Sequence, residues 1–324
     1  MAGKYTQLAI VAGFNTTTLA PVVMTSPDLV NWTTVASWPG GAADQVSVAG
    51  DTYWVITATE FAGNNYAYSF DGANWTLGST SPSLQSVAWT GTNYVAVRES
   101  GATAYTTPIA STAWGGAVST GTSGTFRQVA SDRNGTVVGV LTTGSGQPPI
   151  FYSTDDGASW STHTPANNTF GALGVAYGAA GFVVVRARFS GGSDSVIVSA
   201  SGTSWTTVTT GHVNHAWYRV AYGGGKYLAI GINNSSQTRT MSSTDGTTWT
   251  LHTPSGLPAG VSQAGVLTWW AGLFAFVPTS SGTIYTSSDG ITWTGTTFAN
   301  RDWRGIAAGL ARPRGRRGLG LIRG

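Results

Sequence analysis

An all-β array of seven four-stranded units is the fold this sequence predicts, and three observations predict it. The first is a turn motif, S-x-D-G-x-x-W, at Ser243, Asp245, Gly246 and Trp249, again at Ser69, Asp71, Gly72 and Trp75, and again at Ser287, Asp289, Gly290 and Trp293. Looser copies run from Ser26 through Asp28 to Trp32, from Ser199 through Gly202 to Trp205, and from Ser153 through Asp155 to Trp160, the last with one extra residue. The second is spacing. Trp32, Trp75, Trp114, Trp160, Trp205, Trp249 and Trp293 are separated by 43, 39, 46, 45, 44 and 44 residues, so Trp114 marks a seventh copy whose turn residues are nearly erased. The third is composition: 45 Gly, 14 Trp and 9% charged residues describe many tight turns, and 41% hydrophobic residues are enough for a core.

The motif has the chemistry of a turn between two strands. An Asp side chain accepts hydrogen bonds from the backbone N–H groups just ahead of it, and Gly takes the positive-φ position of a tight turn. The tryptophan that follows places a large apolar surface against the neighbouring repeat. Asp28, Asp71, Asp155, Asp245 and Asp289 are therefore expected to be structural turn residues.

The sixth repeat shows the strand order most clearly. Residues 217–222 read as a first strand, Gly223 to Gly225 as a turn, and 226–230 as a nearly continuous apolar second strand. Residues 233–237 form a polar loop, 238–242 a third strand, and 247–252 a fourth after the Asp-containing turn. The same frame fits 46–56, 87–97, 129–139 and 175–185. Four-stranded units repeated seven times at this period are what a β-propeller requires, each sheet packing its faces on its neighbours.

The termini provide an independent check. Gly3, Lys4 and Tyr5 followed by Leu8, Ala9 and Ile10 resemble 225–230, so the chain starts on a second strand. Its missing first strand is at the far end, where Trp303, Arg304, Gly305, Ile306 and Ala307 follow the pattern of 217–221. The expected fold is thus a seven-bladed β-propeller over residues 1–311, closed by pairing of a C-terminal strand with the N-terminal blade.

The turn S-x-D-x-G-x-x-W resembles the Asp-box, or bacterial neuraminidase repeat, of sialidase-like propellers, and the resemblance covers roughly residues 1–309. It implies the propeller fold and Asp-box turns on one face, with binding on the opposite face. It does not imply one function, because such propellers serve as sialidases, other glycoside hydrolases, lectin-like binders and non-catalytic modules. The sialidase set includes three arginines for the substrate carboxylate and an Arg-Ile-Pro motif near the first blade. This chain has no Arg-Ile-Pro and no arginine before Arg98.

Sorting the carboxylates by this map leaves Asp44, Glu60, Glu99, Asp194 and Asp302 for the opposite face. A glycosidase needs two carboxylates flanking the bond, and Glu60 with Glu99, at the ends of second strands in adjacent blades, is the candidate pair. Arg98, Arg186 and Arg188 lie at comparable heights and could orient an acidic sugar, though Arg98 and Glu99 also read as a solvated ion pair. Trp38, Trp217 and Trp303 fall in or beside inter-blade loops on this face, where an indole could stack on a sugar or anchor a protein; packing at the blade top is the alternative. Trp269 and Trp270 read as covering blade edges on the other face. His212 and His215, in an inter-blade loop, lack a third ligand for zinc. No metal and no cofactor is expected, since Gly223 to Gly225 joins two strands and opens no helix.

Net charge is +3, but Arg312, Arg314, Arg316, Arg317 and Arg323 fall in the last thirteen residues. Without them the chain holds 11 basic and 13 acidic residues, so the propeller body is not expected to bind nucleic acid. Residues 312–324 form a basic Arg/Gly-rich arm expected to order on a partner, other structural proteins of an assembly, through Arg312, Arg314, Arg316 and Arg317. Cysteine is absent, no apolar run approaches a membrane span, and the first residues lack the apolar core of a signal peptide.

These features point to a non-enzymatic binding or structural module on a larger assembly. A low-charge, cysteine-free propeller rich in Gly, Thr and Trp looks like a bacteriophage virion component, such as a tail fibre, receptor-binding or capsid-decorating protein, with glycan recognition as one use. The expected location is a virion or extracellular surface, the alternative being the cytoplasm. A glycoside hydrolase using Glu60 and Glu99, and an intracellular protein-interaction scaffold, remain the alternative functions.

Overall fold

The computed structural model describes residues 6–18, 20–35, 47–50, 54–61, 64–78, 84–98, 100–108, 113–143, 148–165, 171–187, 193–262 and 265–311, and among them there is no helix. β1 (Thr6–Asn15), β2 (Pro21–Ser26) and β3 (Thr33–Thr34) open the chain. A second sheet follows with β4 (Ser47–Gly50), β5 (Trp54–Phe61), β6 (Asn64–Ser69) and β7 (Thr76–Gly78). Seven strands then join in one sheet: β8 (Leu84–Trp89), β9 (Asn93–Arg98), β10 (Ser100–Pro108), β11 (Val118–Ser131), β12 (Val137–Thr142), β13 (Ile150–Ser153) and β14 (Ser161–His163). Three four-stranded sheets come next. They are β15 (Ala172–Gly178), β16 (Gly181–Arg186), β17 (Ser193–Ser199) and β18 (Thr206–Val213); β19 (His215–Gly223), β20 (Lys226–Asn233), β21 (Thr238–Ser243) and β22 (Thr250–His252); and β23 (Val266–Trp270), β24 (Leu273–Val277), β25 (Thr283–Ser287) and β26 (Thr294–Thr297). The last strand, β27 (Arg301–Ala311), returns to the first sheet and pairs antiparallel with β1, Ile10 facing Ala307.

The seven-stranded sheet differs from the repeat pattern, which predicts separate units there. Its long strand β11 serves two of them. Val118 to Thr125 pair with β10 as the outer strand of one unit, and Thr125 to Ser131 pair with β12 as the inner strand of the next. A smaller difference concerns the second repeat, where Val48, facing Ile56, takes the place that Val220, facing Ala229, holds in the sixth; Val46 lies outside the described residues. The inner strands touch in a cyclic order: β27 packs on β4, β4 on β8, β8 on β11, β11 on β15, β15 on β19, β19 on β23, and β23 on β27.

The second strands explain this order. Side chains alternate between the two faces of a strand, and here both faces are buried, so the strands read as continuous apolar runs. In β1, Ile10 and Ala12 join Trp54, Ile56 and Trp75 of the second sheet, whereas Ala9 and Val11 join Ala275, Val277 and Ile284 of the last four-stranded sheet. In β20, Tyr227 and Ala229 face Val183 and Val185, while Leu228 and Ile230 face Phe274 and Phe276. Each sheet is therefore a core wall for two neighbours.

Trp217 and Trp303 correct the expectation of exposed inter-blade indoles. Both lie inside strands, β19 and β27, with no solvent exposure. Trp303 packs in the cluster that joins the first sheet to the last, edge-on to Phe298 at 5.6 Å, and its Nε1–H donates to the Gly282 carbonyl (3.1 Å). Trp269 and Trp270 do cover neighbouring turns: the Trp269 ring lies against Gly223 and Gly224, and Trp270 Nε1–H donates to the Pro27 carbonyl (3.3 Å).

Deleting residues 301–324 removes an inner strand and exposes the apolar faces of β1 and β23. Thermal melts followed by circular dichroism are expected to lose their cooperative transition, while deletion of 312–324 alone leaves the midpoint within about 2 °C. Trp303→Ala keeps the chain length and is expected to cost about 3–5 kcal/mol in urea unfolding.

Candidate functional face

The motif turns occupy one end of the ring and are built as the sequence predicts. Asp245 Oδ1 accepts from the backbone N–H groups of Thr247 (2.8 Å) and Thr248 (2.7 Å) and from the Ser243 hydroxyl (3.0 Å), and Oδ2 accepts from the Thr248 hydroxyl (3.1 Å). Asp28, Asp71 and Asp289 repeat this with the two N–H groups that follow and with Ser26, Ser69 and Ser287. Asp155, in the longer copy, is held by Ser159 and Ser153.

These bonds favour the ionised carboxylates. At Asp28 and Asp245 the largest influences, the N–H groups of Asn31 and Thr248, hold the carboxyl well below the usual range. At Asp71 burial pushes the pKa up, but the bonds from Asn74 and Ala73 outweigh it and bring it to about 2. Burial also opposes the shift at Asp155 and Asp289, and hydrogen bonds again prevail.

Each turn also locks one unit to the one before it. Gly72, Gly157, Gly202, Gly246 and Gly290 have φ of +74°, +87°, +82°, +73° and +81°. A Cβ on Gly290 would run into Leu228 of the preceding unit, and the other four lie in the same way against Leu8, Val95, Val138 and Val183. In the first copy Leu29 holds the glycine position at φ +65°, and its side chain, 1% exposed, fills the gap toward Ala275 and Val277. The indole N–H groups of Trp249, Trp75, Trp160 and Trp32 donate back to the carbonyls of Gly246, Gly72, Gly157 and Leu29 at 2.9–3.1 Å.

The eroded seventh copy keeps more than its tryptophan. Thr107, 1% exposed, stands where the buried motif serines stand and donates to the Ala113 carbonyl (2.9 Å), and Trp114 packs edge-on against Tyr66 at 5.8 Å. The spacing of Thr107 from Trp114 equals that of Ser153 from Trp160, a signal that was available in the sequence.

The opposite end collects arginines. Second strands run toward it and third strands away, so the last residues of β9 and β16, Arg98 and Arg186, and the second residue of β21, Arg239, all stand there. Arg98 and Arg186 are level, facing Leu84 and Ala172 across their sheets. Five inner strands carry a one-residue bulge near this end, at Gln85, Arg127, Leu173, Tyr218 and Arg304. A bulge bends the strand and re-aims a side chain. Arg304 pairs with Asp302 (2.9 Å) and lies 5.1 Å from the Phe14 ring centre. Arg219 Nη1 donates to the carbonyls of Leu173 (3.0 Å) and Tyr218 (2.9 Å), and burial together with the like charge of Arg127 lowers its pKa to about 10, which leaves it cationic at neutral pH. Side chains also bridge inner strands here: Ser86 Oγ accepts from Val129 N–H (3.2 Å) and Gln128 Oε1 from Val175 N–H (3.4 Å).

Of the predicted site residues, Arg98 and Arg186 come to this end, Arg98 partly buried and Arg186 only 8% exposed. Trp38, Glu99, Arg188, Arg312, Arg314, Arg316 and Arg317 lie outside the described residues, as does the side chain of Glu60, whose backbone continues β5. His212 and His215 are not in a loop. His212 is the next-to-last residue of β18 and His215 opens β19, and only Asn214, at φ +63°, separates the two strands; His215 stacks on Trp217 at 5.2 Å, and His212 Nε2 lies 3.2 Å from the Trp249 carbonyl. Sequence reasoning missed Arg127, Arg219, Arg239 and Arg304. The pattern aromatic, bulge, x, Val or Ile, Ala, at 126–130, 217–221 and 303–307, would have placed three of them.

No family model and no curated protein matches the chain. Solved structures do. The chain is similar to a candidate 6-phosphogluconolactonase from Bacteroides fragilis, at 12% identity and TM-score 0.63, covering 94% of this chain and 98% of that one. It is similar to a chain of a nidogen/laminin complex at 9% identity and TM-score 0.56, covering 94% and 100%. It is also similar to YCF48 bound to D1 peptide, at 13% identity and TM-score 0.53, covering 86% and 96%. What they share with this chain is the β-propeller fold.

Two measurements test the turns. All five motif aspartates have lower pKa values folded than the roughly 3.9 of an unfolded Asp, so their stabilisation is complete above about pH 4 and is lost as pH falls toward 2. Urea midpoints are expected to drop over that window, less steeply in Asp71→Asn. Gly290→Ala, at positive φ and against Leu228, is expected to destabilise by more than about 1 kcal/mol. Leu29→Gly relieves a strain of about 1–2 kcal/mol but removes a buried side chain that contributes about 1.5–3 kcal/mol and adds about 0.5–1 kcal/mol of glycine entropy cost. A net loss of about 1–2 kcal/mol is expected from these terms in urea unfolding.

Proposed function

We propose that the chain is a non-enzymatic binding and structural module: a seven-bladed propeller over residues 1–311 with a basic arm over 312–324. The cyclic order of inner-strand contacts supports the blade count, with β11 shared between the third and fourth blades. One observation carries the function. β27 ends at Ala311 beside Thr6, at the end of the ring where the motif turns lie, while arginines gather at the other end. A module built this way can be anchored by its arm and present its far face outward. YCF48 bound to D1 peptide and the nidogen/laminin complex show that propellers are used to hold peptides and proteins.

Display on a bacteriophage virion, as tail fibre, receptor-binding or decoration protein, fits the low charge and the absence of cysteine, and surface glycans are one class of ligand to examine. The test is a fluorogenic glycoside panel together with a glycan array. No turnover is expected from the wild-type protein. Turnover lost in both Glu60→Gln and Glu99→Gln would overturn the non-enzymatic reading and establish a hydrolase. Deletion of 312–324 is expected to abolish co-sedimentation with the parent assembly and leave array binding unchanged.

A further inference from the structure

Charge in this molecule is segregated by strand direction. The described motif and turn carboxylates, Asp28, Asp71, Asp132, Asp155, Asp156, Asp245 and Asp289, lie at the end where first strands turn into second strands and third into fourth. From residue 101 to residue 300 the one carboxylate outside that end is Asp194, near the start of β17. Against it, the opposite end of the same stretch carries Arg127, Arg186, Arg219 and Arg239. Even with Asp194 paired, this sector keeps a net positive charge.

Two of these arginines meet at one feature, the bulge of β15, and Arg127, bonded through Nε to the Thr142 hydroxyl (3.3 Å), lies in the neighbouring sheet. Arg219 reaches back from β19 and donates to the carbonyl of the bulged residue, Leu173 (3.0 Å). Arg186, 8% exposed, stands in register with Ala172, the residue before the bulge, and the next residue, Ala187, bridges to Ala216 at the start of β19. Arg127, on the β11 bulge, is near enough for its charge to be felt at Arg219. Arg239 lies beyond β20 in the next sheet, its guanidinium aimed by Gln237 Oε1 (2.7 Å) and the Thr238 carbonyl (2.9 Å). Arg219 bonds to two carbonyls and Arg239 to a carbonyl and the Gln237 amide oxygen, so those bonds orient each guanidinium without cancelling its charge. Like charges held together at a partly desolvated site repel, and an anion placed among them relieves that cost.

We propose that this arginine sector, centred on Arg219 with Arg127, Arg186 and Arg239, binds a carboxylate-rich polypeptide segment of a partner protein. The proposal deepens the binding-module reading and rests on it. Several arginines spread across adjacent blades suit an extended chain bearing several carboxylates, each able to take a bidentate pair. A sugar ring or a nucleic-acid base would call for an exposed aromatic platform. Of the described aromatic residues at this end, Trp217 and Trp303 are buried, Phe14 is covered by the Arg304 guanidinium and Phe298 is packed edge-on against Trp303.

The test is fluorescence anisotropy of a labelled octaglutamate peptide with the full chain at low and physiological salt. Arg219→Gln and Arg239→Gln are each expected to weaken binding about tenfold, and binding is expected to fall as salt rises. Arg133→Gln, at the motif end, and a full-length variant with Arg312, Arg314, Arg316 and Arg317 changed to Ala are expected to leave most of it. Arg239→Gln, in a strand-end position, keeps the test valid should Arg219→Gln melt early. Three outcomes overturn the proposal: no octaglutamate binding, binding lost with the arm variant but not with the sector variants, or tighter sector-dependent binding of oligogalacturonate or oligo-dT than of octaglutamate. Loss of octaglutamate binding with arm-dependent co-sedimentation intact would remove this inference alone and leave the module reading standing.

Discussion

A sheet that is apolar on both faces has no stable place at the outside of a stack, and every second strand described here is of that kind. Ala9 and Val11 need one neighbour while Ile10 and Ala12 need another, and the same division recurs at Tyr227 to Ile230. Stacking such sheets in a line would leave two apolar faces in water. Curving the line until its ends meet leaves none, and the antiparallel hydrogen-bonded pairing of β27 with β1 joins the ends. The closing strand comes from the far end of the chain, so the ring is shut by contacts between residues about 300 apart in sequence, the kind whose loop-closure entropy slows folding.

The motif turns follow from the same constraint. Neighbouring sheets must sit at a fixed angle, and a turn whose glycine rests on the preceding unit sets it. In the first copy the glycine position is occupied by Leu29, whose side chain packs toward the last sheet at the expense of an unfavourable backbone angle. The buried serine or Thr107, the aspartate or its absence, and the tryptophan indole are then separate supports for one joint. Erosion of some of them in the third unit leaves the joint standing on Thr107 and Trp114.

Because these turns recruit most of the carboxylates to one end, the other end is more basic than the net charge of the chain implies. Bulges in the inner strands add to the effect by re-aiming Arg127, Arg304 and their neighbours near the axis of the ring. A molecule with a net charge of +3 thus holds two faces of opposite character, and long-range attraction of a charged partner depends on such a distribution more than on the sum.

What the sequence determined by itself was the periodic part. The turn motif, the spacing of its tryptophans and the apolar second strands are local signals, set by hydrogen bonds within a few residues and by alternation along one strand, and they sufficed for an all-β repeat closed through Trp303 and its neighbours. What only the tertiary structure decided was the surroundings of each side chain. Trp217 and Trp303 looked exposed because they stand next to loops, yet both lie in the core because the inner strands begin earlier than the repeat pattern implies. His212 and His215 read as a loop pair and proved to lie in two strands separated by Asn214 alone, at positive φ. The meeting of Arg186 and Arg219 at the β15 bulge joins residues from two repeats, and no local pattern encodes a meeting whose geometry depends on how the sheets twist and close.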